Sequence, residues 1–221
     1  MTWVKICGMT NLEDVLVAVD AGADAVGFVF YEKSPRCVTV EMAREICKKL
    51  PSSLDKVGVF VNEPVEKVTT IADDAGLTAV QLHGDEYKNS ERYSMKGKMF
   101  FSLPAVEILR DLRGSGGFYG FPGLPDSAAV LLDSGSPEQR GGTGKTFAWG
   151  EALHLVLALK KRFPVVIAGG LTPQNVGWAV EYLKPWGVDV VSGVEAAPGK
   201  KDPEKVRAFV KAVREMDRKA S

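Results

Sequence analysis

Two residues that can transfer protons stand directly after short apolar runs of the sequence. Cys7 ends the run that starts at Trp3, and Asp133 ends the run 129–132. A thiolate can remove a proton and a carboxylic acid can deliver one, so this pair could carry general acid–base chemistry. Arg36 follows a Ser-Pro pair, in the loop after the second predicted strand. Together these side chains indicate a site at which a small molecule would face a thiol and a carboxylate.

Glycine-rich loops follow three later apolar runs and favour the binding of an anion, because glycine lets backbone N–H groups approach a ligand closely. The residues concerned are Gly142, Gly144, Gly169, Gly170, Ser192 and Gly193. The first of these loops is neither a P-loop, which needs Gly where Gln139 stands, nor a dinucleotide fingerprint, which needs Gly where Phe147 stands. It is interpreted as an anion-binding loop, with a plain connection that binds nothing as the alternative.

Strand-like and helix-like patterns alternate along the whole chain and predict the frame that holds these residues. Apolar runs typical of buried strands alternate with helical periodicity, and the count is eight βα units with no stretch left for another domain. We therefore expect residues 1–221 to form a single α/β domain, a (β/α)8 TIM barrel with its active site at the C-terminal ends of the strands. In this fold a phosphate commonly binds after strands seven and eight, where two of the glycine loops lie.

Some segments give weaker or less specific patterns. A polar stretch at 85–97 predicts a helix weakly, 106–112 predicts a short helix, and 114–126 is too rich in glycine for regular structure. Among the apolar positions of the predicted helices, Leu16 and Leu157 are assigned to faces that pack on the barrel.

Composition and charge exclude several classes of partner. Hydrophobic residues make up 45% of the chain, which is enough for a buried core. Lys plus Arg number 28 and Asp plus Glu number 28, so no overall positive field attracts nucleic acid. No apolar run approaches the roughly 20 residues of a membrane span, and the N-terminus has no signal-peptide pattern. We expect no nucleic-acid partner and no membrane partner.

Cysteine and histidine usage indicates a reducing compartment and no metal site. Cys7, Cys37 and Cys47 are odd in number and form no C-x-x-C pair, so we expect free thiols and a cytoplasmic location. His83 and His154 are the two histidines of the chain, which makes a His-based metal site improbable. We assign His83 no catalytic role.

Strand alternation predicts an ion pair inside the barrel. Lys5 lies on the same face of its strand as Cys7 and one step deeper, and Asp189 lies low on the eighth strand, which a closed barrel places beside the first. Neither charge could stay buried alone, so we expect Lys5 and Asp189 to pair. Any positive charge that Asp189 leaves uncompensated would favour the Cys7 thiolate.

Seven groups of short motifs stand in order at the predicted strand ends. They are Lys5–Thr10, Ser34–Arg36, Val57–Phe60, Gln81–Asp85, Leu131–Ser134 with Gly141–Gly144, Ala168–Leu171 with Asn175 and Val176, and Ser192–Glu195 with Pro198 and Gly199. Each is unspecific alone, but in this order they cover nearly the whole chain. In these motifs the sequence resembles the phosphoribosylanthranilate isomerase family of tryptophan biosynthesis.

The resemblance implies an aldose–ketose isomerase that performs an Amadori rearrangement. Its substrate would be N-(5-phospho-β-D-ribosyl)anthranilate, and its product 1-(2-carboxyphenylamino)-1-deoxy-D-ribulose 5-phosphate. By resemblance, Cys7 is the general base, Asp133 is the general acid and Arg36 lies near the anthranilate carboxylate. The phosphate would lie on the backbone of the three glycine loops. No cofactor and no metal are implied, and the sequence leaves a monomer and a homodimer both open.

Two alternatives belong to other functional classes. A non-catalytic phosphosugar-binding barrel would keep the anion loops, but the presence of both Cys7 and Asp133 argues against it. A related phosphate-barrel enzyme is the other alternative. A ribulose-phosphate epimerase would need paired carboxylates for a metal, where the sequence offers one strand-end acid. A synthase of the same pathway would need lysine and glutamate at several strand ends, where the sequence has none. Fold alone does not separate these functions.

Overall fold

The computed structural model describes residues 1–85, 97–105, 124–125, 128–133 and 149–220. The helices predicted at 85–97 and 106–112 and the glycine-rich stretch 114–126 fall almost entirely outside these ranges. Gly142 and Gly144 also lie outside the described residues, so the first glycine loop stays a prediction.

Eight parallel strands close into a barrel in which each strand pairs with the next and β8 pairs with β1. The predicted (β/α)8 fold class is therefore confirmed. The strands are β1 Trp3–Cys7, β2 Ala25–Val29, β3 Asp55–Phe60, β4 Ala79–Leu82, β5 Lys98–Pro104, β6 Ala128–Asp133, β7 Val165–Ile167 and β8 Gly187–Val190.

Helices connect the strands on the outside of the barrel. Those within the described residues are α1 Leu12–Asp20, α2 Val40–Cys47, α3 Val65–Ala75, α4 Trp149–Leu159, α5 Val176–Leu183 and α6 Pro203–Ala220. Asn11 caps α1 by accepting from the Asp14 N–H, and Gly76 ends α3 in the left-handed conformation that glycine tolerates. Among the described helices, none combines the length and the apolar character needed to cross a membrane.

Helical periodicity assigned two leucines wrongly. Leu16 is 44% exposed and Leu157 is 49% exposed. Each stands at the border of an apolar face, where a pattern of 3.6 residues cannot decide whether the side chain points to the barrel or to water.

The barrel interior holds an apolar cluster, and we call its N-terminal part the lower layer. The lower layer consists of Trp3, Ala25, Val57, Ala79, Phe100, Ala129 and Val166, and the cluster continues upward to Leu131, which pairs with Ser102, and to Ala168 beyond the end of β7. The Trp3 ring stacks between Phe100 and Trp186, with both centroid distances at 5.1 Å. Because Trp3 and Phe100 are buried and packed, and Trp186 covers Trp3 from the rim, the lower layer closes this end of the barrel.

A short hairpin follows β8. The strand ends at Val190, and Ser192–Val194 forms one turn of 3-10 helix. The chain then makes two antiparallel strands, β9 Glu195–Ala197 and β10 Lys200–Lys201. This β9–β10 hairpin lies at the C-terminal end of the barrel, beside the predicted site.

Candidate active site

The C-terminal strand ends open into a cavity of about 430 Å³, within the usual range for small-molecule sites. Cys7, Arg36 and Asp133 all line it, together with His83 and Asp189. The structure thus brings together the three side chains that the sequence proposed for chemistry and carboxylate binding.

The thiol of Cys7 lies at the end of β1 and is almost fully buried. Its neighbour across the sheet is Gly27, where a Cβ atom would stand 2.5 Å from the Cys7 sulfur. Gly27 therefore makes the space that the thiol occupies. Burial raises the pKa of the Cys7 thiol, Lys5 acts against that rise, and Asp189 adds to it.

Lys5 and Asp189 form the ion pair that strand alternation predicted. They stand opposite each other in the β1–β8 register, and the Lys5 Nζ lies 3.0 Å from the Asp189 Oδ1. The Lys5 side chain is 1% exposed. Burial acts to lower its pKa, but Asp189 and Cys7 outweigh burial, so the pKa of Lys5 is raised. Lys5 therefore stays protonated and places a positive charge beneath the thiol.

A chain of hydrogen bonds continues from Lys5 across the barrel. The Lys5 Nζ donates to the Gln81 Oε1 at 2.6 Å, and the Gln81 Nε2 donates to the Ser102 Oγ at 3.0 Å. The Ser102 Oγ lies 2.8 Å from the His83 Nδ1. Sequence analysis assigned no role to Gln81, which begins one of the quoted motifs, or to Ser102, although strand alternation places both on the inner face. These hydrogen bonds hold the inner side chains in fixed positions and extend to His83 in the cavity wall.

Arg36 reaches the cavity from the loop after β2 and forms a two-point ion pair with Glu195. Its Nε and Nη2 donate to the two carboxylate oxygens at 2.8 and 2.7 Å. The aliphatic stem of Arg36 passes over Gly8, where a Cβ atom would stand 2.7 Å from the Arg36 Cδ. The pairing raises the pKa of Arg36. Sequence analysis gave no role to Glu195, although that residue lies in one of the quoted motifs.

Asp133 is the last residue of β6, and its side chain is largely buried at the cavity wall. This position matches the strand-end acid that the sequence predicted. Within the described ranges, no group of three His, Cys, Asp or Glu residues is arranged to hold a metal ion.

The two described glycine loops contact each other at the same rim of the barrel. Gly169 and Gly170 both have positive φ, 79° and 65°, which favours glycine. A Cβ atom on Gly193 would stand 1.8 Å from the carbonyl oxygen of Leu171, so only glycine allows the loop after β8 to pack against the loop after β7. Asn175 stabilises the loop after β7, because its Nδ2 donates to the Gly170 carbonyl at 3.0 Å.

Comparison with known proteins identifies the family to which the chain is similar. The family model for N-(5′-phosphoribosyl)anthranilate isomerase matches residues 4–212. An N-(5′-phosphoribosyl)anthranilate isomerase from Pelobacter propionicus is 46% identical over 219 residues, which is 97% of each chain.

Solved structures give the same result. The phosphoribosylanthranilate isomerase of Thermotoga maritima, described as dimeric and solved in a monomeric form, superimposes with a TM-score of 0.78 at 39% identity, covering 97% of this chain and all of its own. A phosphoribosylanthranilate isomerase in complex with reduced 1-(o-carboxyphenylamino)-1-deoxyribulose 5-phosphate superimposes with a TM-score of 0.74 at 40% identity, with the same coverage.

Proposed function

We propose that this chain, which belongs to the N-(5′-phosphoribosyl)anthranilate isomerase family, uses Cys7 as the general base and Asp133 as the general acid of its reaction. That reaction is the isomerisation of N-(5-phospho-β-D-ribosyl)anthranilate to 1-(2-carboxyphenylamino)-1-deoxy-D-ribulose 5-phosphate in tryptophan biosynthesis. The observation that carries the assignment of roles is the presence of both side chains in one cavity at the strand ends.

The first step opens the sugar ring. Asp133 donates its proton to the ring oxygen, the C1–O bond breaks, and the nitrogen lone pair of the anthranilate group forms an iminium ion with C1. A carboxylic acid at the wall of the cavity suits this step, because it delivers the proton directly to the leaving oxygen.

The second step removes the proton from C2. The iminium ion makes that proton acidic, and the Cys7 thiolate takes it, which leaves an enolamine that becomes the ketone product. Lys5 stabilises the thiolate from below, while burial favours the neutral thiol. The positive iminium ion formed in the first step favours the thiolate as well, so the fraction of Cys7 present as thiolate is greatest once the ring has opened.

Different parts of the cavity bind the two ends of the substrate. We assign the phosphate to the backbone of the loops at Gly169–Gly170 and Ser192–Gly193, together with Gly142 and Gly144. We assign the anthranilate carboxylate to Arg36, and its ring to the apolar cavity wall formed by Val29, Val59 and Val61. Holding both ends places C1 and C2 between the acid and the base.

Two further assignments concern the whole chain. We propose that residues 1–221 form one domain, which agrees with a family match that spans residues 4–212. We also propose a cytoplasmic location, since all three cysteines are free thiols, as suits a reducing compartment.

Turnover of freshly made phosphoribosylanthranilate, followed by loss of its fluorescence, tests the roles. Wild type should be active, and Cys7→Ala and Asp133→Asn should each lose about 10²–10⁴ in kcat. Cys47→Ala is the matched control, because Cys47 is a buried thiol packed in the core between sheet and helices. An active Cys7→Ala variant would contradict the choice of base. An inactive wild type that still binds the product would indicate a binding protein instead.

A further inference from the structure

The carboxylate of Glu195 is buried and collects donors from three other residues. It accepts from the Nε and Nη2 of Arg36, from the Lys201 Nζ at 3.1 Å and from the Gly199 N–H at 3.2 Å. The Glu195 side chain is 5% exposed. A buried carboxylate that receives this many hydrogen bonds is held in one position, and so are the groups that bind it.

The pairing uses one edge of the Arg36 guanidinium. Glu195 binds the Nε–Nη2 edge. A guanidinium has five N–H donors in a rigid plane, and its Nη1–Nη2 edge can bind a second carboxylate in the same two-point manner. With one edge fixed by Glu195, the direction of the other edge is fixed as well.

The β9–β10 hairpin, which carries Glu195, is fastened to the segment directly after Cys7. The Lys201 N–H donates to the Asp14 Oδ2 at 2.7 Å, and the Thr10 hydroxyl donates to the Gly199 carbonyl. Glu195 therefore holds Arg36 relative to the strand that carries the catalytic base.

The charges of Arg36, Lys201 and Glu195 favour the binding of one further anion beside them. Burial acts to raise the pKa of Glu195, but Arg36 and Lys201 outweigh burial, so its pKa is lowered and the carboxylate is ionised. Lys201 is buried against Glu195, at 1% side-chain exposure, and burial lowers the pKa of its ammonium group. Asp14 binds the backbone N–H of Lys201. Among the side chains of Arg36, Lys201 and Glu195, two cations and one carboxylate leave one positive charge, which a carboxylate of the substrate would offset.

We propose that Glu195 is a positioning residue for substrate recognition: it orients the Arg36 guanidinium so that its outer edge meets the anthranilate carboxylate. This proposal rests on the role proposed for Arg36. It makes Glu195 a determinant of selectivity for substrates whose aromatic ring carries a carboxylate, and it predicts an effect on binding rather than on proton transfer.

Binding of two ligands by calorimetry tests this role. One ligand is reduced 1-(o-carboxyphenylamino)-1-deoxyribulose 5-phosphate, and the other has a phenyl group in place of the carboxyphenyl group. Wild type should prefer the carboxylated ligand. Glu195→Gln places amide donors against Arg36 donors, so its preference should fall by about tenfold or more, with unchanged affinity for the phenyl ligand. Glu195→Asp should restore part of the preference, and the exposed Glu204→Gln should bind both ligands as wild type does.

Kinetics give the second readout and separate this proposal from the proposed function. Glu195→Gln should raise KM for phosphoribosylanthranilate with a much smaller change in kcat. An equal loss of affinity for both ligands would show a merely structural role, and tighter binding of the carboxylated ligand would show that Glu195 only competes for Arg36. Either result contradicts the proposal.

Two other outcomes concern the proposed function on which the role of Glu195 rests. If Arg36→Met keeps the wild-type preference for the carboxylated ligand, the role of Arg36 is wrong. A wild type without turnover would refute the function itself.

Discussion

The barrel interior contains two layers, built on the same strands, that differ in chemistry. The lower layer is apolar throughout. The upper layer, toward the C-terminal strand ends, carries the polar side chains of Lys5, Cys7, Gln81, Ser102, Asp133 and Asp189, beside apolar residues such as Val59 and Leu131. On β1 the change from Trp3 to Lys5 takes two residues, and on β5 the change from Phe100 to Ser102 takes two residues. On each of these strands, a residue that packs in the lower layer is therefore followed two positions later by a polar residue of the upper layer.

The difference shows how a closed barrel can be both stable and reactive. The lower layer buries rings and aliphatic side chains and contributes stability. The upper layer buries charged and polar groups, which is tolerated because each of the described charges has a partner, as Lys5 has Asp189. Breaking one partnership should therefore cost more than removing apolar atoms of similar size.

The largest expected effect follows loss of the buried cation. Lys5→Met leaves the Asp189 carboxylate buried without its partner, and we expect the free energy of unfolding to fall by about 3–5 kcal/mol in a denaturant titration. The double variant Lys5→Met/Asp189→Leu should recover most of this loss, because a buried pair can be replaced by apolar groups at little cost. A double variant no more stable than the single one would mean that Lys5 acts through contacts other than Asp189.

A smaller effect is expected in the lower layer. Val166→Ala removes buried methyl groups and should lower the free energy of unfolding by about 2 kcal/mol. The kcat and KM per folded molecule should stay as in wild type, since Val166 belongs to the apolar lower layer and does not line the cavity. A clear loss of kcat in this variant would contradict the assignment of stability to the lower layer and of chemistry to the upper layer.

The smallest expected effect concerns the Cys7 thiol. In a background of Cys37→Ser and Cys47→Ala, the pH dependence of alkylation by iodoacetamide measures the pKa of Cys7 alone. The added double variant Lys5→Met/Asp189→Leu should raise that pKa, because the effect of Lys5, which lowers it, is larger than the opposing effect of Asp189. An unchanged titration would show that Lys5 does not support the thiolate.

Simple regularities of the fold were enough to predict the core of the site from sequence. Alternation along strands and closure of the barrel predicted the Lys5–Asp189 pair, and the register confirms it. The strand-end rule placed Cys7 and Asp133 in one cavity. These predictions succeeded because strand direction and side-chain alternation follow from backbone geometry alone.

Contacts made by loops could not be predicted in the same way. Arg36 and Glu195 are separated by 159 positions, and their pairing depends on how a turn of 3-10 helix and the β9–β10 hairpin bend across the rim. The space that Gly27 leaves for the Cys7 sulfur is visible only once the strands are in register. Such features depend on tertiary packing, which no local pattern encodes.

The central claim is that Cys7 removes the C2 proton and Asp133 opens the ring, and substrate deuterated at C2 tests it most directly. In Cys7→Ser the weaker base should make C2 deprotonation limiting, so kcat should fall and show a primary deuterium isotope effect larger than that of wild type. In Asp133→Asn ring opening should be limiting, so kcat should fall without such an effect. An isotope effect that grows in Asp133→Asn and not in Cys7→Ser would contradict both assignments.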